Sequence, residues 1–259
     1  MAMEWKEATV KVAGTNVRIM EAGSGAPTLI LHHDIGTLDR LPFYDAMAAQ
    51  CHVIIPVHPG WGVNSERPEW MRSVRDIAAM YRMYMAGRGI EKANLVGLGF
   101  GGWIAAEMAT MSGHDVGKIA LVGAMGVQPT EGFIMDMSIV GYLDYVRAFF
   151  AESARFIEVY GEPTGDVLED FDICREMCFR IAWKPYMYSQ TLPNLLQNMT
   201  AETLVVWGEK DAVVPMSSCD RYMASLPNAQ KEIVAGSGHA IDMDKPDQLV
   251  SVVGGFLNA

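Results

Sequence analysis

Leu95-Val96-Gly97-Leu98-Gly99-Phe100-Gly101-Gly102-Trp103 is the stretch on which the fold of this chain turns. An apolar run from Ala93 to Leu98 meets a cluster of glycines, and an amphipathic run from Trp103 to Met111 begins at once. The first run has the length and composition of a buried strand, and the second the spacing of a helix. No loop is left to join them. The turn must be very tight, and glycine is the residue that adopts φ > 0 without a Cβ penalty.

Working outward, the same alternation recurs on both sides. Thr9–Val12 and Val17–Glu21 alternate around Ala13-Gly14-Thr15-Asn16 and read as an antiparallel edge hairpin. Thr28–Leu31 and Val53–Ile55 are short apolar strands, with a helix over Leu41–Gln50 between them. Ser73–Arg88 carries Val74, Ile77, Ala78, Tyr81 and Met85 on one helical face, with Ser73 as its cap. Lys118–Val122 is a further strand. From Gln128 to Met199 strand signals vanish, and Ser138–Phe150, Asp166–Ala182 and Pro185–Met199 read as helices rich in Met, Tyr and Phe. Strand signals return at Thr203–Trp207 and Lys231–Val234, with helices over Met216–Ser225 and Pro246–Leu257. Strands alternating with helices imply a mostly parallel, doubly wound sheet.

The chain has 259 residues, half of them apolar, which suits one α/β domain with an insertion. A net charge of −11 argues against nucleic acid, which needs a basic face. No apolar run is long enough for a membrane span, and Met1–Glu7 shows no signal-peptide pattern, so a cytoplasmic location is expected. Cys51, Cys174, Cys178 and Cys219 have no framework spacing and read as reduced thiols.

Five landmarks, taken in order, resemble the α/β-hydrolase superfamily over nearly the whole chain. They are His32-His33-Asp34-Ile35-Gly36 for the oxyanion loop, Pro59-Gly60-Trp61-Gly62, the Gly97–Gly101 elbow, the acid loop Val206–Pro215, and Gly236-Ser237-Gly238-His239-Ala240. The resemblance implies an eight-stranded sheet, with residues 1–127 and 200–259 as the core and 128–199 as a helical cap. It also implies that Asp211 and His239 are the acid and base of a triad whose elbow pattern is G-x-S-x-G.

Gly99 stands where the nucleophile should be, and Leu98 replaces a neighbour that is often polar. His33-Asp34 replaces two glycines of the oxyanion loop, where a carboxylate would repel a developing anion. We therefore expect an atypical enzyme with no covalent serine intermediate. His239, oriented by Asp211, is expected to be the general base, taking a proton from water or directly from a small apolar or aromatic carbonyl compound in open space beside Gly99, for hydrolysis of a C–C, ester or amide bond or for a lyase or isomerase reaction. The backbone near Phe100 and Asp34 is expected to polarise the carbonyl, with His33, His58, Leu98 and Trp61 as substrate-binding candidates. His32 reads as structural. No cofactor or metal is expected, although His33, Asp34, His58 and His239 all follow strand ends and form the alternative, metal-dependent reading. A ligand-binding protein without activity is the other alternative. The expected partner is a small molecule rather than a membrane or nucleic acid, and a homodimer is left open.

Overall fold

The computed structural model describes residues 3–112 and 114–259, so the first two residues of the N-terminal stretch lie outside it. The chain opens with β1 (Lys6–Val12), β2 (Thr15–Ala22), β3 (Pro27–Leu31), α1 (Pro42–Ala48) and β4 (His52–Pro56). It continues through α2 (Val74–Gly87), β5 (Ala93–Leu98), α3 (Phe100–Met111) and β6 (Val116–Val122). Four helices follow before the sheet resumes: α4 (Tyr142–Arg147), α5 (Ser153–Tyr160), α6 (Gly165–Ala182) and α7 (Leu192–Leu196). The chain closes with β7 (Thr203–Gly208), α8 (Met216–Ser225), β8 (Ala229–Val234), α9 (Ile241–Asp244) and α10 (Pro246–Asn258).

The strands form one eight-stranded sheet in the order β1-β2-β4-β3-β5-β6-β7-β8. β2 runs antiparallel to both of its neighbours, and every pairing from β4 to β8 is parallel. This is the doubly wound sheet expected. Helices cover both faces of the parallel part, which is why β3, β5 and β7 are buried along almost their whole length rather than alternating. The edge strand β1 is mostly exposed. The N-terminus of α2 is closed by a capping box: Asp76 N–H donates to Ser73 Oγ and Ser73 N–H to Asp76 Oδ2.

Two helix readings are corrected. The segment 138–150 is helical only over Tyr142–Arg147, and 185–199 only over Leu192–Leu196. In the second case the backbone is taken by another partner. Gly126 N–H donates to Met187 O and Ser189 N–H to Gly126 O, so the chain runs extended past Tyr188 and coils only after Thr191. The short helices α5 and α9 carry too little periodicity to be read in advance.

A buried polar chain holds the ends of β3 and β4 together. His32 Nδ1–H donates to His33 O (2.7 Å), and His32 Nε2 accepts from His58 N–H (2.8 Å). His58 Nε2–H donates to His32 O (3.0 Å), and Tyr81 O–H donates to His58 Nδ1 (2.6 Å). The two rings stack at 3.6 Å. Burial drives the His32 pKa down to about 3 and that of His58 well below the usual range, so both are neutral.

The unfolded chain protonates these imidazoles near pH ~6.5 while the folded chain does not. Their contribution is therefore complete above that pH and is lost as pH falls below it. Urea unfolding at pH 7.5 and pH 5 should show lower stability at pH 5, and His58→Phe should flatten that difference while costing about 1–3 kcal/mol at pH 7.5 for the unpaired groups it leaves.

Candidate active site

Gly99 is the single residue between β5 and α3, with φ +52° and ψ −111°. That conformation strains any residue with a Cβ, and glycine adopts it freely. The turn is held by Gly99 N–H donating to Val122 O (2.8 Å) and Gly102 N–H and Met125 N–H donating to Gly99 O (both 3.0 Å).

What lies beside Gly99 differs from the open space expected. A Cβ built on it would stand 2.5 Å from His33 Nδ1 and 2.8 Å from His239 Nε2. The gap is bounded by two imidazole nitrogens. His239 follows β8, and its Nδ1–H donates to Asp211 Oδ2 at 2.8 Å. Asp211 follows β7, and its other oxygen accepts from Val213 N–H (2.9 Å) and Val214 N–H (2.8 Å). Both oxygens of Asp211 are thus engaged, and His239 is left with a lone pair on Nε2 facing Gly99. Burial works against a charged His239, yet the adjoining charges of Asp211, Asp34 and Asp242 raise its pKa above the usual value.

A second pair mirrors the first. His33 follows β3, and its Nε2–H donates to Asp242 Oδ1 at 2.9 Å. Nothing in the motif analysis pointed to Asp242. The available signal was its place in the turn directly after the His239 loop, but a four-residue helix is needed to aim it back at His33. The His33 and His239 ring centroids lie 5.3 Å apart, and Phe149 packs edge-on against His239 at 4.7 Å.

Asp34 brings in a carboxylate. Tyr145 O–H of α4 donates to its Oδ2 at 2.7 Å, and burial raises the Asp34 pKa despite that bond. Its backbone carbonyl accepts from Trp61 Nε1–H at 2.8 Å. Asp34 does not turn away from the gap: one of its carboxylate oxygens and one ring nitrogen each of His33 and His239 all lie within 4.8 Å of one another. A carboxylate oxygen in that position makes a clean oxyanion hole impossible.

Of the remaining candidates, His58 does not join the cluster, because Tyr81 and the His32 carbonyl occupy both its nitrogens. Leu98 is fully buried at the end of β5. Phe100 heads α3, and its ring packs 5.4 Å from that of Trp61. Trp61, with Ile35, Val63, Val167, Phe171 and Cys174, lines a cavity of about 540 Å³ that starts one residue beyond Asp34. A larger groove lies between α4 and α6, but none of the residues at the strand ends lines it. The four cysteines are unpaired and buried, Cys178 Sγ lying 3.8 Å from Asp34 O.

Comparison with known proteins agrees with this architecture. A sequence model of the alpha/beta hydrolase family matches residues 29–252. The chain belongs to that family. It is 28% identical over 90% of its length to the dihydrolipoyllysine-residue acetyltransferase component of the acetoin cleaving system of Cupriavidus necator, of which it spans 64%. It is 26% identical over 97% of its length to a 2-hydroxy-6-oxononadienedioate/2-hydroxy-6-oxononatrienedioate hydrolase of Paraburkholderia phymatum, of which it spans 95%. Among solved structures it superposes on the meta-cleavage product hydrolase of Pseudomonas fluorescens IP01 with a TM-score of 0.77, at 23% identity over 97% of both chains. Among the described residues, no helix is long and apolar enough to cross a membrane.

The geometry of this family member makes Gly99→Ser a sharp test. The new Cβ meets two buried rings and a left-handed backbone, at a combined cost of about 2–5 kcal/mol. The variant should melt roughly 5 °C or more below the wild type and hydrolyse p-nitrophenyl esters no faster than buffer. Brisk turnover at an unchanged melting temperature would mean that His33 moves aside freely.

Proposed function

We propose that this chain is a hydrolase of small aromatic or apolar carbonyl compounds that works without a covalent intermediate, at a centre over Gly99. The observation that carries the proposal is the Asp211–His239 pair. A buried imidazole held in one tautomer presents an unpartnered Nε2 to the spot that a serine would occupy in relatives built on the G-x-S-x-G elbow.

With only water in the gap, His239 is the general base. It accepts a proton from the attacking water, whose oxygen adds to the substrate carbonyl, and Asp211 stabilises the imidazolium that results. The Phe100 N–H, at the start of α3, polarises the carbonyl. His239, now protonated, returns that proton to the leaving group as its bond to the carbonyl carbon breaks, while His33, backed by Asp242, stands across the gap and accepts a hydrogen bond from the attacking water. Both histidines are aimed by carboxylates, so the site holds one more oriented imidazole than a serine triad uses. The substrate class rests on the Trp61 and Phe171 rings in a cavity whose lining also carries Arg18, Asp39, Arg40 and Asp170. The name of one relative points the same way, since it is a hydrolase of 2-hydroxy-6-oxononadienedioate and 2-hydroxy-6-oxononatrienedioate, both of them carbonyl compounds. A carbon–carbon bond next to a ketone is accordingly the preferred target over a simple ester.

The test uses a panel of aryl ketones, aryl 1,3-diketones and aryl esters, first by thermal shift and then by mass spectrometry of the compounds and of the intact protein. Conversion to two fragments is expected, with no acyl group ever found on the protein. His239→Ala should abolish turnover with little change in binding. Asp211→Asn should lower it by about 10⁴-fold, the cost of presenting an amide to a catalytic imidazole. A ligand held tightly but never converted by the wild type would make the chain a binding protein.

A further inference from the structure

Three polar atoms in the interior have no partner and face one another. They are His33 Nδ1, His239 Nε2 and Asp34 Oδ1, with Asp242 Oδ2 unpartnered behind them, and a ligand atom from each of His33, Asp34 and His239 lies within 4.8 Å of the other two. The three residues are at most 1% exposed. An unpaired buried polar atom is destabilising, and several gathered in one place require an explanation in common. In each residue the other polar atom is held by a buried partner: Asp242 for His33, Asp211 for His239 and Tyr145 for Asp34. Those partners fix each group so that its free lone pair points inward.

We infer that His33 Nδ1, His239 Nε2 and Asp34 Oδ1 bind one divalent transition-metal ion over Gly99. Two imidazoles and one carboxylate form a three-point ligand set that leaves further positions open for water and substrate. The surrounding bonds match what ligating groups require, since a ligating imidazole normally donates its second N–H to a carboxylate and a ligating carboxylate is itself hydrogen-bonded.

Charge argues for the same occupant. Asp34, Asp211 and Asp242 are buried together, and among the described residues none of them pairs with a lysine or arginine. Buried carboxylates need compensating charge, and a dication between the two imidazoles supplies it without protonating either ring. Glycine at position 99 then has a function beyond its φ angle. A Cβ there would sit 2.5 and 2.8 Å from the two ligand nitrogens, in the space the ion needs at ~2.0–2.2 Å from each.

This inference rests on the preceding section for the reaction but not for the binding. The ion takes over from His239 the activation of water. Bound water loses a proton to the medium and adds to the substrate carbonyl as hydroxide, the bond from that carbon to the leaving group then breaks, and the leaving group takes a proton from the medium, with no electron gained or lost.

Binding is tested on the full-length protein after chelator treatment and dialysis. Titration with Co²⁺, followed by its visible ligand-field bands, and with Zn²⁺, followed by calorimetry and elemental analysis, should show one ion per chain. His33→Gln, Asp34→Asn and His239→Gln should each weaken binding at least 100-fold. Asp242→Asn and Tyr145→Phe should weaken it about 10–100-fold, and Gly99→Ala should abolish it although every ligand remains. His52→Ala, on the surface, should change nothing. Circular dichroism of each variant separates lost binding from lost fold, and the conservative Asp34→Asn and Tyr145→Phe variants keep the test alive if Gly99→Ala does not fold. No stoichiometric binding by the wild type, or binding that survives both His33→Gln and Asp34→Asn, overturns the inference. Conversion of an aryl ketone by metal-free protein that binds no ion would overturn it while leaving the hydrolase reading intact. An ion bound as described in a protein that converts nothing would leave the site standing and remove that reading.

Discussion

The close approach between the start of α3 and the end of β3 is the constraint on which the rest of the structure depends. Gly101 N–H donates to His32 O at 3.0 Å, and a Cβ on Gly101 would lie 2.0 Å from the carbonyl oxygen of Leu31. Only a residue without a side chain permits that contact. Because the elbow is pressed so tightly on β3, the residues that leave β3 have to pass beside Gly99. His33 and Asp34 occupy the neighbourhood of the turn for this reason, and a bulkier α3 start would move the whole cluster apart.

What gathers there is costly by the ordinary accounting of protein interiors. Two imidazoles and three carboxylates are removed from water within one small volume, and four of their atoms remain without partners. Such an arrangement survives only where surrounding structure over-determines it. Here the over-determination is visible: Val213 and Val214 N–H clamp Asp211, Tyr145 clamps Asp34, and Gly238 N–H donates to Asp244 to hold the loop that carries His239. By contrast, His32 and His58, equally buried, have every ring nitrogen satisfied. Satisfied histidines hold the scaffold together, and unsatisfied ones mark the place where something else is to be bound or transformed.

The family frame explains how little needs to change. Strand ends on one edge of a parallel sheet already deliver an acid, a base and an elbow to a common point. Removing the serine frees the space at that point. Placing His33 and Asp34 on the oxyanion loop fills it again with groups of different chemistry, while the sheet beneath is untouched.

The sheet, its parallel centre and the elbow could be read from the sequence because they depend on local pattern: apolar runs of strand length, glycines at a forced turn, and charged or histidine residues directly after strands. The Asp211–His239 pair was legible for the same reason, each residue lying in a loop whose surroundings are short and regular. Tyr145 was read only as part of the cap interior, and Asp242 was not read at all, because each reaches the site through a helix whose position is set by packing rather than by spacing. The role of His58 was misjudged on equal grounds. Following a strand end places a residue near the site, but which nitrogen faces where depends on Tyr81 and His32, which are distant in sequence. Nor could the sequence show that the space over Gly99 is closed by two rings. Local pattern determines which elements form, whereas the distance between a glycine at 99 and side chains at 33 and 239 depends on how three strands and two loops pack, and only the tertiary structure decides that.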